Sequence, residues 1–103
     1  MIVRLWHGRT ARNRANEYAV FLKEQAIPDL RDAEGNLEVD ILRRDEADVS
    51  HFMVITRWDS EAAVRAYVGG NDARKAKYYP EDRGFLLELE PEVQQYELAA
   101  KAP

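Results

Sequence analysis

Five side chains in the sequence have the chemistry to meet an aromatic molecule: His7, Phe52, Trp58, Tyr67 and Tyr78. Among these types only an imidazole, with a reference pKa of about 6.5, can exchange a proton with a phenol near neutral pH. Trp58 brings a large apolar face and a single N–H donor, which suits stacking on a flat ring. Phe52 alternates with Val54, Thr56 and Trp58 along one side of a strand-like run. Tyr67 and Tyr78 add hydroxyls that need a partner wherever they are buried. Each residue also has an ordinary structural role: Trp58 as a core ring, His7 as a neutral hydrogen-bonded histidine, Tyr67 as part of a helix's buried stripe.

Other chemistries lack their residues. The chain has no cysteine, so disulfides, thiolate nucleophiles and Cys-based metal sites are excluded. Its two histidines have no HxxH or HxxxH spacing, and no metal site is expected. His51 opens a strand beside acidic loop residues and is expected at the surface, as are Glu88, Glu90 and Glu92, which alternate along an extended segment. There is no GxGxxG, phosphate loop or GxSxG. With 15 Lys and Arg against 19 Asp and Glu, the net charge is −4. Nucleic acid and anionic membranes need clustered positive charge, and neither is expected as a partner. The N-terminal MIVRLWHGR is too short and charged for a signal peptide, and no apolar run reaches the roughly 20 residues that span a bilayer. The expected compartment is the cytoplasm.

The elements that must position these residues follow from periodicity. Residues 2–9 predict a strand with Val3, Leu5 and His7 on one side and Ile2, Arg4 and Trp6 on the other. Gly8 leaves room for a close approach to the backbone. A helix follows from Thr10–Asn13 to about Ile27, with Ala15, Tyr18, Ala19, Leu22 and Ala26 as its buried stripe and Pro28 as its stop. Gly35-Asn36 marks a turn. Residues 37–44 alternate as a half-wet edge strand, residues 45–48 form a polar turn, and residues 51–58 form a strand apolar on both sides. Ser60 caps a second helix striped by Ala63, Val64, Tyr67 and Val68, and Gly69-Gly70 ends it. A short helix is expected over residues 72–79, ended by Pro80. Residues 85–89 are extended or a single turn, and residues 93–99 form a last strand.

The order is β-α-β-β-α-β in one domain of 103 residues. Buried first and third strands with edge-like second and fourth strands fit a split βαβ sheet in the order 4-1-3-2. Helices in such a fold cover one sheet face only, yet both middle strands are apolar on both faces. A second copy of the chain, packed sheet against sheet, is therefore expected.

Four segments, LWHGRT at 5–10, ITRWDSEAAVRAY at 55–67, NDARKAKYYPED at 71–82 and LELEPEVQQYEL at 87–98, resemble the antibiotic biosynthesis monooxygenase family of dimeric α/β-barrel proteins. With the element order, the likeness spans nearly the whole chain. It implies an α+β, ferredoxin-like βαββαβ domain over residues 1–103, a homodimer through its sheet faces, and a flat apolar or aromatic ligand held between helices and sheet. The implied function is cofactor-independent monooxygenation, or a related oxidation, of a small aromatic or polyketide-like substrate. Trp58, Tyr67, Tyr78 and Phe52 are then the substrate-binding residues and His7 the catalytic base, with no cofactor and no metal. The alternative is a non-catalytic ligand-binding or structural dimer of the same fold. The heme-degrading branch is a weaker match. Its helix aromatic corresponds to Tyr67, but its iron-binding His falls on Lys77 and its first-strand Asn near Gly8.

Overall fold

In the computed structural model, which describes residues 1–103, the strands are β1 (Ile2–Ala11), β2 (Asn36–Glu46), β3 (Val49–Trp58) and β4 (Gln94–Glu97). They form one antiparallel sheet in the order β2-β3-β1-β4, which is the expected 4-1-3-2 read from its other edge. β1 and β3 are central and pair along their whole length, from Ile2 opposite Trp58 to Ala11 opposite Val49. The last strand is shorter than residues 93–99, and the hairpin between β2 and β3 is tighter than the expected four-residue turn.

Alternation divides these two strands into a helix side and an open side. Arg4, Gly8, Thr10, Ser50, Phe52, Val54, Thr56 and Trp58 are buried on the helix side, which the partly buried Ile2 and Trp6 share. Val3, Leu5, His7, Arg9, His51, Met53, Ile55 and Arg57 face the other way and stay partly exposed. Both faces thus carry apolar bulk, as the sequence pattern implies.

The first helical region departs from expectation. A 3-10 turn at Arg12–Arg14, α1 (Ala15–Phe21), a π-helical stretch at Leu22–Ala26 and α2 (Ile27–Asp32) follow without a break. Pro28 does not stop the helix; it lies in the first turn of α2, where its missing N–H and fixed φ are tolerated. The π-turn before it shifts the bonding, so that Ile27 N–H donates to Leu22 O five residues back. The chain turns away only at Ala33, and Gly35 then takes a left-handed φ of 86°. A Cβ there would meet the Ala63 Cβ at 2.5 Å and an Asp59 carboxylate oxygen at 2.7 Å, so only glycine fits.

α3 (Glu61–Val68) is built as the sequence implies. Ser60 accepts from the Ala63 N–H at 3.1 Å, and Gly69 closes the helix at φ 77°. Residues 72–79, by contrast, are not helical. Their backbone bonds the segment leading into β4, with Ala76 N–H on Pro91 O at 3.0 Å and Val93 N–H on Arg74 O at 2.7 Å. Those cross-chain bonds replace the ones a helix would make. The single helical turn comes after Pro80, as α4 (Asp82–Phe85).

Two apolar clusters fill the space between helices and sheet. One gathers Ala15, Tyr18, Leu22, Ala26, Phe52 and Leu86; the other gathers Leu30, Val54, Trp58, Val64 and Ala73. Asp82 is 3% exposed in this core and accepts from the Tyr18 hydroxyl at 2.9 Å and the Tyr79 N–H at 2.7 Å. Burial holds its carboxyl above the ordinary carboxylate range. Tyr18→Phe removes one of two donors from this buried group and should cost about 1–3 kcal/mol at pH 7. Urea denaturation checks it. The loss should shrink toward pH 4, because a carboxyl with a raised folded pKa is protonated first in the native state and then needs the donor less.

Candidate functional site

Between helices and sheet lies a partly open cavity of about 60 Å³. That is room for a few waters or one small polar group, far short of the roughly 300–1,000 Å³ of ordinary ligand sites. Its lining is mostly apolar, with Trp6 and Leu22 prominent, and Arg4, Thr56, Lys77 and Asp82 converge on it together with Tyr67. Leu22 and Ala26 bring the π-helical stretch into one wall. Such π-turns recur at functional sites, where the regular bonding ladder is already broken.

β1 places Arg4 and Trp6 two residues apart on the helix side. Trp6 is aimed by Tyr78: its indole N–H donates to the Tyr78 hydroxyl at 3.3 Å, and the rings meet edge to face at 6.2 Å. Tyr78 in turn donates to the Glu90 carbonyl. The close approach permitted at Gly8 is filled by Trp6 itself, whose ring atoms would lie 2.5 and 2.7 Å from a Cβ at that position.

Of the four residues expected to bind a substrate, only Tyr67 lines the cavity. Trp58 is fully buried behind it, with its indole N–H on Thr56 Oγ1 at 2.9 Å and its ring 5.2 Å from that of Tyr67. Phe52 is equally buried and packs edge-on to Tyr18 at 5.2 Å. Tyr78 acts through Trp6. These three are supports of the cavity rather than its walls.

His7 lies on the open side of the sheet, across β1 from the cavity. Odd and even residues of a strand point to opposite faces, so His7 and Trp6 cannot share a site within one chain. Its imidazole bonds Glu90 Oε2 at 2.6 Å through Nδ1 and His51 Nδ1 at 3.0 Å through Nε2. His51 is therefore not the surface residue its position suggests; its side chain is 18% exposed and stacked on His7 at 5.3 Å. Nor do Glu88 and Glu90 simply face water. Glu88 holds Arg9 through two bonds, of 2.7 and 3.2 Å. Three or more His, Cys, Asp or Glu side chains nowhere group as a metal site.

The cavity's electrostatics rest on residues that periodicity alone does not mark as functional. Arg4 is 6% exposed, donates through Nη2 to Lys75 O at 2.9 Å, and leaves its buried Nε without a partner. Burial lowers its pKa from the ordinary guanidinium value, with the charge itself retained. Lys77 sits at the rim, 4.2 Å over the Tyr67 ring, with its ammonium on the Tyr67 carbonyl at 3.2 Å. Burial raises the pKa of Tyr67, Tyr78 and Tyr79, so all three are neutral donors at pH 7. One signal for Arg4 was present in the sequence: a charge set between Ile2 and Trp6 on an otherwise apolar strand face. Asp82 had none, because only the closure of the 80–86 segment onto Tyr18 buries it.

Residues 9–78 match the sequence model of the family described as antibiotic biosynthesis monooxygenase. No curated protein matches the chain in sequence. Solved structures that share its fold include the following two. One is a mutant of MhuD with two manganese protoporphyrin IX bound per active site, 14% identical, with a TM-score of 0.65 over 100% of this chain and 99% of that one. The other is a candidate antibiotic biosynthesis monooxygenase from Bacillus cereus, 13% identical, with a TM-score of 0.68 over 100% of this chain and 95% of that one.

The two tryptophans give two indole N–H signals in a nitrogen-15 correlation spectrum. Titration with 2-naphthol should move the Trp6 signal and leave that of Trp58 within its linewidth. A shift confined to Trp58 would place the ligand outside this cavity.

Proposed function

Because the chain belongs to the antibiotic biosynthesis monooxygenase family, we propose that it oxygenates a small aromatic substrate in the cavity between helices and sheet, without a cofactor. What carries this reading is the convergence of Arg4, Thr56, Tyr67, Lys77 and Asp82 on an otherwise largely apolar cavity. An aromatic ring is drawn in by the apolar walls and Trp6, while the polar groups bind and stabilise the negative charge that develops during reaction. The cavity is open on one side, so a ring larger than its interior extends toward the mouth, where Lys77 sits.

Electron-rich aromatic anions can reduce oxygen directly. The balance needs no outside reductant: a ring methylene gives both hydrogens to one oxygen atom as water and keeps the other oxygen as a carbonyl. The first step is loss of a proton from the substrate. Within one chain Asp82, not His7, is the group placed to accept it, and its raised pKa makes it a stronger base than an ordinary carboxylate.

Heme, present in one structural neighbour as its manganese analogue, fits this chain poorly. No histidine lines the cavity, and Lys77 at its rim is an ammonium engaged with Tyr67. No step is assigned to it.

The open face is the proposed contact with a second copy. It carries Val3, Leu5, Met53 and Ile55 at its centre and half-exposed Leu42 and exposed Tyr96 toward its edges. An antiparallel sheet of this kind normally alternates apolar-in and polar-out. Here the outward row is apolar too, and a twin burying the same row is the symmetric way to cover it.

Two measurements test these readings. Oxygen uptake on a panel of hydroxylated aromatics should appear with at least one compound and no added flavin or metal, and should fall on acidification as Asp82 protonates, at a pH above the ordinary carboxylate range. Binding without uptake for every compound would overturn the oxygenase reading and leave a ligand-binding protein. Sedimentation should give a particle of twice 11.9 kDa, reduced to a monomer by Ile55→Asp; a monomeric wild type at micromolar concentration would remove the dimer.

A further inference from the structure

Arg4 has no carboxylate within salt-bridge distance, although eight arginine–carboxylate pairs occur elsewhere in the chain. Its cross-strand neighbours are both neutral: Thr56 on β3 and Gln95 on β4. The one carboxylate that shares its cavity, Asp82, makes no bond to Arg4 and accepts instead from the Tyr18 hydroxyl and the Tyr79 N–H. Lys77 adds a second positive charge at the same cavity. A buried guanidinium normally has a partner, because an unpaired charge away from water is costly. This one has a single carbonyl bond, an unpartnered Nε and the cavity before it.

We propose that Arg4 is the anchor for a carboxylate on the aromatic ligand. The inference rests on the cavity being the substrate site and narrows the substrate class to aromatic acids. A guanidinium presents parallel donors that match two carboxylate oxygens, which an ammonium cannot do. The cavity of about 60 Å³ is the size for such a head group. The ring then lies against Trp6 and Tyr67, toward the open side of the cavity. The Arg4 charge, costly in the free protein, becomes paired when ligand binds, so binding discriminates strongly against neutral analogues.

The test compares 2-naphthoate with its neutral analogue 2-naphthamide by calorimetry at pH 7. Wild type should bind the acid at least tenfold more tightly than the amide. Arg4→Met should bring the two within threefold by weakening the acid alone, and should melt no lower than wild type, because it removes an unpaired buried charge. Arg4→Lys, which keeps the charge but not the paired donors, should fall between. Equal wild-type affinities for the two probes would overturn the carboxylate assignment while leaving the cavity as the site. A preference for the acid that survives in Arg4→Met would assign it to another cation and overturn the role of Arg4. Failure of both probes to bind would overturn the substrate-site reading itself, and this inference with it. If Arg4→Met does not fold, the wild-type comparison and Arg4→Lys still decide.

Discussion

The structure depends on one asymmetry: a four-stranded sheet with helices on one face only, whose two central strands are apolar on both. Helix-side residues of β1 and β3 meet α1, α2 and α3 and form the core. The outward residues of the same strands, Val3, Leu5, Met53 and Ile55, meet no helix. Strand alternation makes this division absolute within a chain, since a one-residue shift of register would exchange every side chain between faces. It separates two jobs: the helix side holds a cavity, and the open side is the surface proposed to meet a twin.

The same division explains why two chemically capable groups sit so differently. His7, His51 and Glu90 form a bonded row on the open side. There His7 lies directly across from Met53, within the proposed contact and on the opposite side of the sheet from the cavity. Arg4, Tyr67 and Asp82 sit where water is scarce, so each charge acts over a longer range and is dearer to bury. Tyr18, Tyr78 and Trp58 each fix a residue that faces the cavity. Tyr18 donates to Asp82, Tyr78 receives from Trp6, and Trp58 supports both Thr56 and Tyr67.

Much of this was legible in residue order. The alternation of β1 and β3, the Ser60 cap, the Gly69 stop and the strand order all follow from local chemistry, and all are present. The failures have a common cause in longer-range bonding. Pro28 reads as a stop because a regular α-helix cannot continue through it; a π-turn five residues long removes that conflict. Residues 72–79 read as a helix from their charges and cap, but their backbone finds partners in the segment before β4. The candidate site was only partly visible. Tyr67 could be placed by helical spacing, and Trp58 and Phe52 by strand spacing. Their distance from the cavity depended on Trp6 swinging across Gly8 and on where the 80–86 segment closes. His7 was assigned by residue type, and its own strand parity argues against that role within one chain.

The most direct test of the division between faces is a crystal structure grown with 2-naphthoate. The ring should lie between the π-helical wall and the sheet, with its carboxylate on Arg4 and a second copy covering Leu5 and Ile55. A ring bound on the open face beside His7 and His51, with the helix-side cavity unchanged, would contradict it.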